Sequence, residues 1–145
     1  MYPKKSLGQN FLNDSNLLSK IADLGSISKN DTILEIGPGT GNLTDEIIKR
    51  NPKKIILVEK DKYLSNELNI KYGKQVKLIN KDILNCYRDF NFEEPIKIFG
   101  NLPYNISTKI LVSFIKLKDL NKIVKKLIFI FQKEVADRII AEENT

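Results

Sequence analysis

Asn101-Leu102-Pro103-Tyr104 brings together an amide, a main-chain carbonyl beside a proline and an aromatic face within four positions. Proline fixes its own φ and biases Leu102 to extended geometry, so the acceptors and the ring are held in place. That set suits chemistry on the exocyclic amine of a base such as adenine. The N6 amine is a poor nucleophile because its lone pair is delocalised into the ring. Acceptance of its two hydrogens by the Asn101 side-chain oxygen and the Leu102 carbonyl favours a more tetrahedral nitrogen with its lone pair available. Attack on a sulfonium methyl group is then an in-line displacement that expels a neutral thioether, so alignment matters more than acid–base help. Tyr104 offers a stacking face, worth about 1 to 3 kcal/mol per base, and a base must leave its own stack to reach it. Asn and Pro are also ordinary turn residues, which leaves a plain β-turn as the competing account.

Three other features describe a place for an adenosine. Gly37, Gly39 and Gly41 lie in Glu35-Ile36-Gly37-Pro38-Gly39-Thr40-Gly41, where glycine lets the backbone take positive φ and approach a ligand without a Cβ in the way. The spacing departs from the Gly-x-Gly-x-x-Gly fingerprint of dinucleotide sites. Glu59, 18 residues after Gly41, can accept from both ribose hydroxyls, and Asp82 can accept from an adenine amine. Each acid alone reads more readily as a solvated loop carboxylate. Together they describe an adenosine pocket without saying whether the adenosine belongs to NAD or to S-adenosylmethionine.

The elements that must position these residues are legible in the apolar pattern. Short runs rich in Ile and Val recur at 33–36, 55–58, 76–79, 96–99 and 127–131. Between them lie segments of helical period carrying Leu43, Ile47 and Ile48, then Leu64 and Leu68, then Ile110, Leu111, Phe114 and Ile115. Runs apolar on successive residues suit strands covered on both faces, and right-handed crossovers wind them into a parallel sheet. A doubly wound α/β fold follows, with Gly37, Glu59, Asp82 and Asn101 at successive strand ends, where such sheets bind ligands. Asn13 or Asp14 is expected to cap a helix with Leu17, Leu18, Ile21 and Leu24 on one side. A last amphipathic helix is expected over 132–143, with Val135 and Ile139 inward.

Composition narrows the chemistry. The chain has no histidine, so imidazole cannot serve as general base in a Ser-His-Asp or Cys-His arrangement. One cysteine, Cys86, precludes an internal disulfide, and a zinc site of about four ligands is not expected. No apolar stretch approaches the roughly 20 residues of a membrane helix, and the start has no apolar signal core. A cytoplasmic protein is expected, with no membrane and no metal. The net charge of +6 favours a polyanionic partner such as nucleic acid.

These motifs, with Lys5-Ser6-Leu7-Gly8-Gln9-Asn10-Phe11-Leu12, Val58-Glu59-Lys60-Asp61, Gly100 to Ser107 and Phe131 to Arg138, make the chain resemble the ribosomal RNA adenine N6,N6-dimethyltransferase family, of the small-subunit (KsgA) type. The likeness runs along 1–145, which reads as the N-terminal part of an S-adenosylmethionine-binding domain of Rossmann-like class I methyltransferase fold. It implies cofactor contacts at Asn10, Leu12, Gly37, Glu59, Asp82 and Asn101, with Gly39 in the same turn and Tyr104 facing the target base. Residue composition alone reads Lys4, Lys5 and 9–12 as a basic arm. The implied substrate is a pair of adjacent adenosines near the 3′ end of small-subunit ribosomal RNA, dimethylated during subunit assembly by a monomer.

The family pattern continues past residue 145 with further strands, a second stacking face and a helical domain. The expectation is therefore a truncated five-stranded sheet that retains the cofactor pocket, transfers poorly to RNA, and exposes 127–131 as an apolar edge prone to aggregation. Three readings compete: an NAD-dependent oxidoreductase using the same pocket, a large-subunit adenine methyltransferase of the macrolide-resistance branch, and a non-catalytic RNA-binding assembly factor.

Overall fold

A computed structural model describes residues 13–102, 105–131 and 133–141. Five strands form one parallel sheet: β1 (Thr32–Ile36), β2 (Lys54–Val58), β3 (Lys77–Ile79), β4 (Ile96–Asn101) and β5 (Val124–Ile130), in the order β3-β2-β1-β4-β5. The alternating strand–helix sequence produces this arrangement because each strand must return to the same end of the sheet before the next begins. The order reverses beside β1, so β1 and β4 meet across the switch that opens a crevice at their carboxyl ends.

Both faces are covered. Leu18, Ile21, Leu43, Ile47 and Leu68 pack with Ile33, Ile55, Leu57 and Phe99 on one side. These residues come from α1 (Ser15–Leu24), α2 (Asn42–Lys49) and α3 (Lys62–Tyr72) as well as the strands. On the other side Ile83 of α4 (Ile83–Cys86) and Ile110 and Phe114 of α5 (Ser107–Ile115) pack with Leu34, Ile56, Val58 and Ile98. Residues adjacent in one strand thus enter opposite cores, which is why the strand runs are continuously apolar. The short α6 (Leu120–Ile123) leads into β5, and α7 (Lys133–Ile140) follows it.

The structure corrects several boundaries. Asp14, not Asn13, caps α1: its Oδ1 accepts from the N–H groups of Asn16 at 3.0 Å and Leu17 at 3.2 Å. The Asn13 side chain instead accepts from Asn42 Nδ2 at 2.9 Å. Of the four leucines and isoleucines expected inward on α1, Leu18 and Ile21 are buried, but Leu17 and Leu24 are 43% and 61% exposed. At about 100° per residue those two share a flank roughly a quarter-turn or more from Leu18, and Ala22 completes the buried stripe.

Strand β5 begins at Val124, earlier than the apolar run indicated, because exposed Lys125 and Lys126 interrupt the pattern while the backbone stays extended. It is an outer strand, with Leu127, Phe129 and Ile130 half-buried. On α7 the inward placement of Ile139 is not met. It is 41% exposed and Val135 half-buried, since no residue of this helix reaches a core among the described residues.

Candidate functional site

The carboxyl ends of β1, β2, β3 and β4 bring four of the sequence features into one crevice. The N–H of Gly37 donates to the Val58 carbonyl at 2.9 Å, and that of Glu59 to the Ile79 carbonyl at 3.0 Å, so each strand end is tied to its neighbour beyond the regular ladder. In register, Ile36 pairs with Gly100, which puts Gly37 beside Asn101. A Cβ at Gly37 would lie 3.5 Å from the Asn101 carbonyl oxygen.

The turn that follows β1 is built from left-handed glycines. Gly37, Gly39 and Gly41 have φ of +66°, +61° and +91°, a region costly for residues with a Cβ. Gly41 N–H closes the turn on the Pro38 carbonyl at 2.9 Å, and Gly41 opens α2 without a side-chain cap. Space forbids a side chain here too: a Cβ at Gly41 would meet the Tyr72 hydroxyl oxygen at 2.2 Å.

Two buried carboxyls lie under this turn. Glu59, 5% exposed, accepts from Gly39 N–H at 3.2 Å through Oε2 and from Asp61 N–H at 2.9 Å through Oε1. Burial raises its pKa against those two donors. Each carboxylate oxygen has a second lone pair, so Glu59 can still accept from a pair of ligand hydroxyls. Glu35, 1% exposed, receives the Thr44 hydroxyl at 2.6 Å. Burial pushes its pKa up to about 8 against that hydrogen bond, with the charges of Glu59 and Asp45 adding to the rise. Neither carboxyl forms an ion pair among the described residues.

Asp82 caps α4, its Oδ1 accepting from Leu84 N–H at 3.0 Å, while its Oδ2 stands 3.2 Å from Lys60 Nζ. Asn80 Nδ2 donates to the Glu59 carbonyl at 2.8 Å and joins the β2 and β3 ends. Asn101 is the last residue of β4, and the Leu102 side chain is 2% exposed and packs in the core on the α5 side. Gly37, Gly39, Glu59, Asp82 and Asn101 are therefore set along four neighbouring strand ends. Asn10, Leu12 and Tyr104 lie outside the described residues.

Sequence reasoning missed the support beneath this set. Glu35 could have been found as the one charged residue inside an otherwise apolar strand. Thr44, Asp61 and Tyr72 carry no such mark, since each reads as an ordinary helix or loop residue until the turn is folded against it. The arrangement fits an adenosine-bearing cofactor: a turn with three left-handed glycines, a buried carboxylate with spare acceptor capacity, and a further acid one strand away. Among the described residues no cluster of acids and the cysteine could hold a metal ion, and no helix is long and apolar enough to cross a membrane.

Comparison with known proteins agrees with this fold. The model of the ribosomal RNA adenine dimethylase family matches residues 2–145. A protein of Pelagibacter ubique named ribosomal RNA small subunit methyltransferase A is 50% identical over 141 residues, covering 97% of this chain and 53% of that protein. Among solved structures, a dimethyladenosine transferase from Plasmodium falciparum matches with a TM-score of 0.74 and 28% identity, covering 92% of this chain and 47% of the other. The 23S rRNA methyltransferase ErmE matches with a TM-score of 0.74 and 27% identity, covering 88% of this chain and 50% of the other. The chain spans about half the length of the curated relatives it matches. With the fold, the glycine turn and the family model in agreement, the chain belongs to the ribosomal RNA adenine dimethylase family.

Proposed function

We propose that this chain carries the S-adenosylmethionine-binding half of an enzyme that dimethylates the N6 amines of two adjacent adenosines near the 3′ end of small-subunit ribosomal RNA. The observation that carries the reading is the juxtaposition of Gly37 and Asn101 at neighbouring strand ends, with Glu59 one strand away. The cofactor, when bound, supplies an electrophilic methyl group.

In this reading the backbone of Gly37 and Gly39 approaches the ligand and Glu59 accepts from the ribose hydroxyls. Asp82 accepts from the adenine amine, and Asn10 and Leu12 complete the contacts from the N-terminal segment. Asn101 and the Leu102 carbonyl take the two hydrogens of the target amine, and Tyr104 stacks on its ring. Rate then comes from holding nitrogen and methyl carbon in line, which explains how a chain without histidine can work. The small-subunit substrate is favoured over a large-subunit one because the relative at 50% identity bears a small-subunit name, against 27% for the 23S enzyme.

Calorimetric titration with S-adenosylhomocysteine and with NAD tests the cofactor. Binding of NAD alone would sink the reading. Mass spectrometry of small-subunit RNA after incubation with labelled cofactor reports base, position and methyl count, with weak transfer expected from these 145 residues alone. Asn101→Ala should lower transfer by about 100-fold or more, on the scale of losing a preorganised transition-state contact. An RNA-binding role without catalysis would survive that change.

A further inference from the structure

Helix α3 touches both halves of the cofactor crevice. At its start, Asp61 caps it by accepting from Leu64 N–H at 3.0 Å, while the Asp61 N–H donates to Glu59 Oε1 at 2.9 Å. At its end, the Tyr72 hydroxyl stands 2.8 Å from the Gly41 carbonyl oxygen and 2.6 Å from Asp45 Oδ1. Lys71 adds a second grip, with Nζ 2.9 Å from Asp45 Oδ2 and 3.4 Å from the Thr40 carbonyl. The Tyr72 ring is 6% exposed, and its edge occupies the volume where a Cβ on Gly41 would project.

The Tyr72 and Lys71 contacts fall on the end of the glycine turn and the first turn of α2. The Gly41 carbonyl already accepts the first hydrogen bond of α2, from Asp45 N–H at 2.9 Å, so Tyr72 takes its second lone pair. Burial and the neighbouring Asp45 carboxylate raise the Tyr72 pKa, so the phenol keeps its hydrogen and shares it between two acceptors. Left-handed glycines at alternate positions 37, 39 and 41 give the backbone many alternatives, which contacts from outside the turn help to narrow.

We infer that α3 is a brace fixing the glycine turn against Glu59, and that Tyr72, backed by Lys71 and Asp45, is the positioning residue that presets this turn for the cofactor. The inference rests on the cofactor reading above. Tyr72 itself touches no ligand; it acts through the Gly41 carbonyl, and the other end of α3 acts through Asp61 on Glu59. A cofactor held at both the turn and Glu59 then binds a surface whose two halves are already at their final separation.

Titration of S-adenosylhomocysteine into the wild-type chain and into Tyr72→Phe tests this. Loss of one buried hydroxyl contact is expected to weaken binding about tenfold, and Lys71→Met about threefold because its pair is exposed. A core variant remote from the turn, Val124→Ala, should lose folding stability yet bind within twofold of wild type. A 15N spectrum adds a signature that general loosening would not give: the Asn42 amide, whose peptide carbonyl is that of Gly41, should shift in Tyr72→Phe and not in Val124→Ala.

If Tyr72→Phe binds as tightly as wild type, or if Val124→Ala weakens binding equally, the brace is refuted while the cofactor reading stands. If wild type does not bind the ligand, the cofactor reading falls and takes the brace with it. Should Tyr72→Phe fail to fold, Lys71→Met and Asp45→Asn at the exposed end of the same contact decide the matter by the same titration.

Discussion

The two ends of the sheet bury carboxyl groups in opposite company. At the amino end, Asp31 stands 2.8 Å from the Lys97 ammonium, both less than a tenth exposed, and accepts from Ser28 N–H at 2.7 Å. Lys97 also donates to the Ser26 carbonyl at 2.8 Å. Burial alone would raise the Asp31 pKa, but Lys97 and the Ser28 donors overcome it and hold the group below the ordinary carboxylate range. At the carboxyl end, Glu35 and Glu59 have only neutral donors, and burial wins. One end is a closed structural pair. The other holds carboxyls whose ionised form is costly, because burial strips them of water and no cation stands beside them among the described residues.

The largest break in that contrast should come from Lys97→Met, which leaves the Asp31 charge buried and alone. A loss of about 3 to 5 kcal/mol in urea unfolding is expected, with S-adenosylhomocysteine affinity of the remaining folded protein unchanged. Glu35 gives the opposite sign of pH dependence from Asp31. Its folded pKa is above its unfolded one, so its contribution is present in full below about pH 4.5 and is lost as pH rises towards about 8. The difference in stability between wild type and Glu35→Gln should therefore change by on the order of 3 kcal/mol between pH 5 and pH 8, wild type losing ground at high pH. Thermal melts across that window would show it, and parallel curves would refute it.

Glu59→Gln sharpens the comparison from the ligand's side. About a tenfold loss of S-adenosylhomocysteine affinity is expected, with stability level or slightly raised because a buried carboxylate is removed. The smallest effect should be that of Asp14→Ala, which removes the cap of α1 at a cost of about 1 kcal/mol. Asp14 lies near the first turn of α2, through the Asn13 to Asn42 contact, yet should leave cofactor affinity intact. Weakened binding in that variant would mean that proximity to the site, and not burial without a cation, separates the two classes of carboxylate.

How far the sequence could be read follows from the range of the interactions involved. The strands at 33–36, 55–58 and 96–99 were legible because two-sided burial demands unbroken apolar runs, and the positions of Gly37, Glu59, Asp82 and Asn101 follow from strand order alone. The early start of β5 was not, because Lys125 and Lys126 obey local solvent exposure while the strand pairs with β4 through Val124 and Lys126, with Lys125 at an irregularity between them. Nor was Tyr72 legible, since its partner Gly41 is 31 residues distant and becomes a neighbour only when α3 packs back on the turn. The pairing of Asp31 with Lys97, 66 residues apart, is equally silent in the chain.

The strand order also sets a timetable. β1, β2 and β3 are synthesised in succession and lie side by side, so the glycine turn, Glu59 and Asp82 can meet as soon as the chain has emerged past Asp82. β4 joins β1 only after a loop of about sixty residues has closed, the slower kind of step in folding. Asn101 therefore arrives last. Under the proposed function, a chain folding in this order would gather its cofactor carboxylates before its amine acceptor, which would make methyl-transfer geometry a late mark of completed folding.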